Sequence, residues 1–127
     1  MDNFFNSLKP CTFYFNDGDR VHCGFISQEV EEALKDNNMT PIDFAGFCKD
    51  EKEKVVTDEN NQEKIEVCLD ENGNKEYVYS LRYNEFIALN THMIQKAHKK
   101  IEEQSKEIEE MKNIISFLFE KIERLGV

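Results

Sequence analysis

Residues 87–125 read IALNTHMIQKAHKKIEEQSKEIEEMKNIISFLFEKIERL, and isoleucine recurs every seven positions, at Ile87, Ile94, Ile101, Ile108, Ile115 and Ile122. Three places after each stand Asn90, Ala97, Gln104, Met111, Leu118 and Leu125, so both core positions of a heptad repeat are defined over six repeats. This spacing predicts one helix of about 40 residues, roughly 60 Å long, with Gly126 as its stop. A helix of that length exceeds what one small domain covers, so the seam is expected to self-associate rather than pack along its own domain. Isoleucine followed by leucine favours two strands, but only Leu118 and Leu125 fit that rule. Asn90, Ala97 and Gln104 are expected to fix register at a cost in stability, or to mark where the helices part. Ile114, Phe117 and Phe119 lie off the seam and make the last turns apolar nearly all round. Another element is expected to cover them, because large exposed patches are uncommon.

Upstream of the helix the pattern changes to short alternating runs. Phe4, Phe5 and Leu8 share one face of a helical turn that Lys9-Pro10 ends. CTFYF (11–15), NDGD (16–19) and RVHCGFIS (20–27) read as strand, turn and strand. Ser27 then offers a hydroxyl as cap to the helix QEVEEALKDN, whose early glutamates suit the positive end of the dipole. A polar loop follows at residues 37–40, and IDFAGFC (42–48) is consistent with strand or buried helix. KDEKEKVVTDENNQEK (49–64) has too few apolar positions for a core and predicts a solvated loop or projecting arm. Ile65, Val67 and Leu69 alternate, DENGN (70–74) carries the Asn-Gly turn signal, and Tyr77, Tyr79 and Leu81 alternate on the return, which predicts a second hairpin. The expected fold class is therefore α+β. A small hairpin-rich globular head with short helices occupies residues 1–81, and the long helix residues 82–126.

Composition excludes several function classes. Twenty-six acidic residues against 16 Lys and Arg give a net charge of −10, the wrong sign for tracking phosphates, so nucleic acid is not an expected partner. No window approaches the roughly 18 apolar residues of a membrane span, and the first residues lack a secretory leader pattern, so no membrane partner is expected. Cys11, Cys23, Cys48 and Cys68 form no C-x-x-C pair, so they are read as reduced, buried thiols in a reducing cytoplasm, with no metal and no cofactor. His92 and His98 fall on the outer face of the long helix. Ser7, Ser27, Ser80, Ser105, Ser116 and the histidines draw no nucleophile, base and oxyanion constellation, so an independent hydrolase is the weakest reading.

The join HCGFISQEVEEALK (22–35) places polar groups where strand runs into helix. Taken with Leu8-Lys9-Pro10, the motif His22, Gly24, Phe25, Ile26, Gln28, Glu29 and the aromatic run Tyr79–Leu89 into a long helix, it resembles the C-terminal intramolecular chaperone domain of phage tailspikes, tail fibres, neck appendages and endosialidases. That family's pattern is approximately H-x-G-(F/V)-I-A-Q-E-(V/L), and Ser27 in place of alanine is the one departure. The resemblance implies a homotrimer, with Ile87, Ile94, Ala97, Ile101, Gln104, Ile108, Met111, Ile115, Leu118 and Ile122 at its interface. It also implies a chaperone that registers the β-stalk of its own precursor in the host cytoplasm during virion assembly. Autoproteolysis would then release the domain, leaving it absent from the mature virion.

Cleavage in the family precedes a serine in a segment like S-D-x-x-(L/V)-K, with lysine as base. This chain has no such segment, so the serine is expected upstream of Met1 and these residues are expected not to be enzymatic. Ser7 and Lys9 read as helix and turn residues. By the same resemblance His22 orients the upstream scissile segment; read from the residues alone it is a strand histidine bonded to backbone, and both readings stand. Gly24 is expected where a backbone approaches another chain closely. Glu29 is read as serving the helix start, and Gln28 as either that or a contact to a neighbouring strand. The competing function class is a coiled-coil oligomeric adaptor that binds a partner through residues 49–64, with no chaperone or proteolytic role.

Overall fold

In the computed structural model, which describes residues 1–126, the chain forms two compact units, Met1–Ala88 and the residues from Leu89 on. The first opens with α1 (Asp2–Ser7). Lys9-Pro10 ends it as expected, since Leu8 is already extended at φ −67° and ψ 141°. β1 (Cys11–Phe13) and β2 (His22–Gly24) pair antiparallel with Thr12 opposite Cys23. The first hairpin is thus present, with shorter strands and a longer connection than the turn signal suggested.

β2 leads into α2 (Ser27–Asp36). Val30, Ala33 and Leu34 recur at helical spacing and are all buried, which fixes the face that α2 turns inward. Ser27 is not the cap. Extended backbone persists only through Ile26, whose carbonyl accepts the N–H groups of Glu29 and Val30 at 3.0 and 3.1 Å, so Ser27 is the first helical residue and no side chain caps the start. Asn38 ends the helix in the left-handed region at φ 55°. The Met39 N–H then reaches the Leu34 carbonyl at 2.8 Å and the Asn38 N–H that of Lys35 at 3.1 Å, which satisfies two terminal carbonyls.

The stretch 42–48 resolves into a turn followed by β3 (Phe47–Glu51), whose partner is β6 (Tyr77–Leu81), with Phe47 opposite Leu81. Between them β4 (Glu53–Thr57) and β5 (Glu63–Val67) form a separate antiparallel arm, with Val55 opposite Ile65. This overturns the second hairpin as read from the sequence. Ile65 and Val67 pair with β4, Tyr77, Tyr79 and Leu81 pair with β3, and only the bridge between Leu69 and Lys75 joins the two runs. The cause is a three-way junction in which Lys52 donates to the Glu76 carbonyl, Glu76 to Cys68 and Cys68 to Lys52, at 2.8, 2.9 and 2.7 Å. It diverts each strand to a different neighbour.

The two tips on that junction are built alike. In Asp58–Gln62 the Asp58 carboxylate accepts the N–H groups of Asn60 and Gln62, and in Asp70–Asn74 the Asp70 carboxylate accepts those of Asn72 and Asn74, all at 2.9 Å. Asn61 and Gly73 take the positive φ that each turn requires, 58° and 79°.

The core of the first unit is largely aromatic. Phe44 lies 5.1 Å from Phe4 and 5.0 Å from Phe86, and Phe86 stacks on Phe25 at 4.9 Å, centroid to centroid. A Cβ on Gly46 would run into the Phe44 ring, so the chain passes this cluster only as glycine. α3 (Tyr83–Arg124) begins among these rings and is unbroken over 42 residues. Gly126, at φ 73°, follows as the expected stop. With the fold class thus α+β, the covering element expected over Ile114, Phe117 and Phe119 is not found among the described residues. These side chains are 57, 56 and 65% exposed, because α3 continues without turning back.

Candidate functional site

The join between β2 and α2 gathers the motif residues on a few neighbouring turns of backbone. Gly24 is the tightest point. A Cβ there would stand 2.6 Å from the Tyr83 hydroxyl and 3.1 Å from the Phe13 ring, and the Phe25 N–H donates to that hydroxyl at 3.3 Å. The close approach expected of Gly24 is real, but it is made by the first residue of α3 in the same chain rather than by another chain. Phe25 continues the contact, its ring 6.4 Å from Tyr83 and 4.9 Å from Phe86. Gly24, Phe25, Tyr83 and Phe86 therefore tie the motif to the start of the long helix.

His22 lies at the other edge of the motif, half-buried and opposite Phe13 in the ladder. Its ring stacks on Phe13 at 5.6 Å and meets Phe15 edge-on at 4.5 Å, while Phe15 itself is 61% exposed. The immediate neighbours of the imidazole are thus aromatic faces. Ile26 is 47% exposed and Gln28 is exposed, so both are open to a neighbouring chain. Glu29 sits in the first turn of α2, where its charge favours the dipole.

Ser7 is used within the fold. Its hydroxyl donates to the Asn3 carbonyl at 2.7 Å and accepts from the Asn37 amide at 3.3 Å, which fastens α1 to the end of α2. Beside α2, the Lys49 ammonium meets Glu31 at 2.9 Å and lies 4.6 Å from the Tyr77 ring centroid and 5.4 Å from that of Tyr79. The hydrogen bond from Lys49 holds the Glu31 carboxyl below its ordinary value against the opposing effect of burial, and the same bond raises the lysine. No group of His, Cys, Asp or Glu able to hold a metal ion occurs among the described residues, and no helix there is long and apolar enough to cross a membrane.

The seam is the second candidate site. Ile87, Ile94, Ile101, Ile108, Ile115 and Ile122 are between 50 and 66% exposed, and Met111 and Leu118 are 52 and 51% exposed. Ala97 and Gln104 are exposed with them. At its start the helix buries Phe86 and Leu89 and leaves Ile87 at 62% exposure, so the buried face differs from the heptad face.

Residues 3–39 match the peptidase S74 family, chaperone of endosialidase. The resemblance read from the join is thereby confirmed over the segment that contains His22, Gly24, Phe25, Ile26, Gln28 and Glu29. A solved structure described as a novel intramolecular chaperon is similar over 76% of this chain and 84% of its own, with TM-score 0.54 and 20% identity, a likeness of fold. No curated protein matches. The matched segment ends at Met39, just past α2, and Tyr83, which completes the Gly24 contact, lies far outside it in the sequence. Sequence reading placed Tyr83 only within an aromatic run. The signal for its role was the glycine itself, but the partner that fills a missing Cβ is visible only in three dimensions.

Proposed function

We propose that this chain is an intramolecular chaperone that forms a trimer through the seam of α3 and registers the β-stalk of its own precursor during folding. The carrying observation is that the endosialidase-chaperone segment is locked at Gly24 and Phe25 to Tyr83, the first residue of a 42-residue helix with a continuous exposed heptad face. Three associated helices raise the local concentration of three stalk chains before their long-range β contacts form. Release follows autoproteolysis upstream, with no catalytic step among these residues, and assembly takes place in the host cytoplasm. His22, Ile26 and Gln28 face the incoming segment.

The measurement that tests this is the solution mass by light scattering over a range of concentrations. A mass near three times 15.0 kDa is expected, and a monomer throughout overturns the reading. The adaptor reading is favoured by one observation, the opposed Val55 and Ile65 on the arm, 66 and 68% exposed. A clean dimer that holds a partner through that arm would replace the chaperone.

A further inference from the structure

The two halves of the α3 seam differ in what they offer a second copy. At the second core position the first half carries Asn90, Ala97 and Gln104, and the second half Met111, Leu118 and Leu125. In the first half Met93 is the one apolar flank and faces the fifth-position His98; only in the second half are both flanks apolar. Counting Ile87 as the first position of its heptad, Ile114 falls at the seventh and Phe119 at the fifth, and they are 57 and 65% exposed. Phe117 lies further round, where the Lys121 ammonium of the same helix covers it at 5.0 Å from the ring centroid. The widened apolar strip is therefore made by Ile114, Ile115, Leu118, Phe119 and Ile122.

Its flanks are complementary to themselves. In parallel, in-register coiled coils a seventh-position residue of one helix faces the fifth-position residue of the next heptad in its neighbour, and these flanks set orientation and partner choice. Glu107 then meets Lys112 of a second copy, an opposite charge, and Ile114 meets Phe119 of a second copy, apolar against apolar. Residues five apart do not face each other on one helix, so neither match serves the isolated chain. An antiparallel arrangement places fifth positions against fifth positions and brings the polar half of the seam over the apolar half. With the two seams fully overlapped, that buries the Asn90 amide against Ile122 and the Gln104 amide against Ile108 without partners, which is costly.

Resting on the self-association proposed above, we infer that Glu107–Ile122 is the clamp of the seam: it carries most of the association between copies of this chain and fixes them parallel and in register, while the half before it stays weak. Its occupant is a second copy of the same segment. The weak half lies next to the chaperone head in the sequence and is free to open and close there without loss of the assembly.

The test compares matched isoleucines in the full chain by sedimentation equilibrium. Ile115→Ser is expected to raise the dissociation constant about tenfold more than Ile94→Ser, since Ile115 packs between the apolar Met111 and Leu118 layers and Ile94 between the Asn90 and Ala97 layers. Glu107→Lys and Lys112→Glu alone are each expected to weaken association by roughly three- to tenfold, and the double exchange to restore it to within about twofold. A wild-type chain that is monomeric at every concentration overturns the self-association reading and the clamp together. A wild-type assembly in which Ile94→Ser costs as much as Ile115→Ser overturns the clamp and leaves the assembly standing. A double exchange that recovers nothing overturns the parallel register.

Discussion

The head and the long helix solve the same problem in opposite ways. In the unit Met1–Ala88 the large apolar side chains Phe4, Phe44, Phe47 and Phe86 are 1 to 6% exposed and find their partners within the chain. From Asn90 to the end of α3 no described residue is buried. Most helical stability in proteins comes from packing an apolar face rather than from propensity, and the seam isoleucines of the helix are 50 to 66% exposed. One chain thus contains a region with a core of its own and a region whose apolar seam lies exposed; under the trimer proposed above, the stability of the second region depends on concentration.

The sharpest way to separate them is Phe86→Ala. Loss of a ring that touches Phe25, Phe44 and Tyr83 is expected to cost the head about 3–5 kcal/mol, enough to unfold a marginal domain. The concentration-dependent part of the helix signal in circular dichroism should persist. If both vanish together, the two regions are one cooperative unit and the contrast fails.

Gly24→Ala comes next. The new methyl must displace the Tyr83 hydroxyl or the Phe13 ring, with an expected loss of about 1–3 kcal/mol. Adding Tyr83→Phe removes the obstructing oxygen and should return part of that loss in thermal melts. No recovery would mean that the hydroxyl is not what the glycine accommodates. Asp58→Ala strips two backbone N–H groups of their acceptor at the arm tip and is expected to cost about 1 kcal/mol. Hydrogen exchange should rise in residues 58–62 alone, because the arm contributes no buried side chain to the core.

The smallest effect is the pH dependence of the Glu31 and Lys49 pair. Glu31 is held below its ordinary 4.5, so its contribution is complete above that value and is lost as pH falls through its folded value. Lys49 is raised above 10.5, so its contribution is complete below that value and is lost as pH rises through its folded value. Denaturant melts should show a plateau between those limits and lose up to about 1 kcal/mol at either edge. Lys49→Met should flatten both edges.

Legibility in the sequence followed the range of the interactions. Asn-Gly at 73 was legible as a turn in Asp70–Asn74, yet the same turn in Asp58–Gln62 passed unread, because Asn61 supplies the positive φ in place of glycine. Ser27 was misplaced by one position, since any residue can end a strand and only the Ile26 carbonyl shows where the helix begins. Of the candidate site, the motif His22 to Glu29 was legible through its resemblance to the chaperone family, and the family match spans it. Tyr83 and Phe86 were not, because their parts in the site are contacts across more than 50 residues of chain.

Periodicity alone determined the long helix, its seam and its stop, because a helix repeats every few residues and each repeat is local. It also determined that the head mixes short strands with short helices. Only the tertiary structure decided which strand pairs with which. Alternation shows that β5 and β6 each have an apolar face but not which edge each one meets, and the backbone exchange among Lys52, Cys68 and Glu76 makes that choice. The same holds for Gly24. A missing side chain announces that something comes close, and the fold alone brings the Tyr83 hydroxyl there.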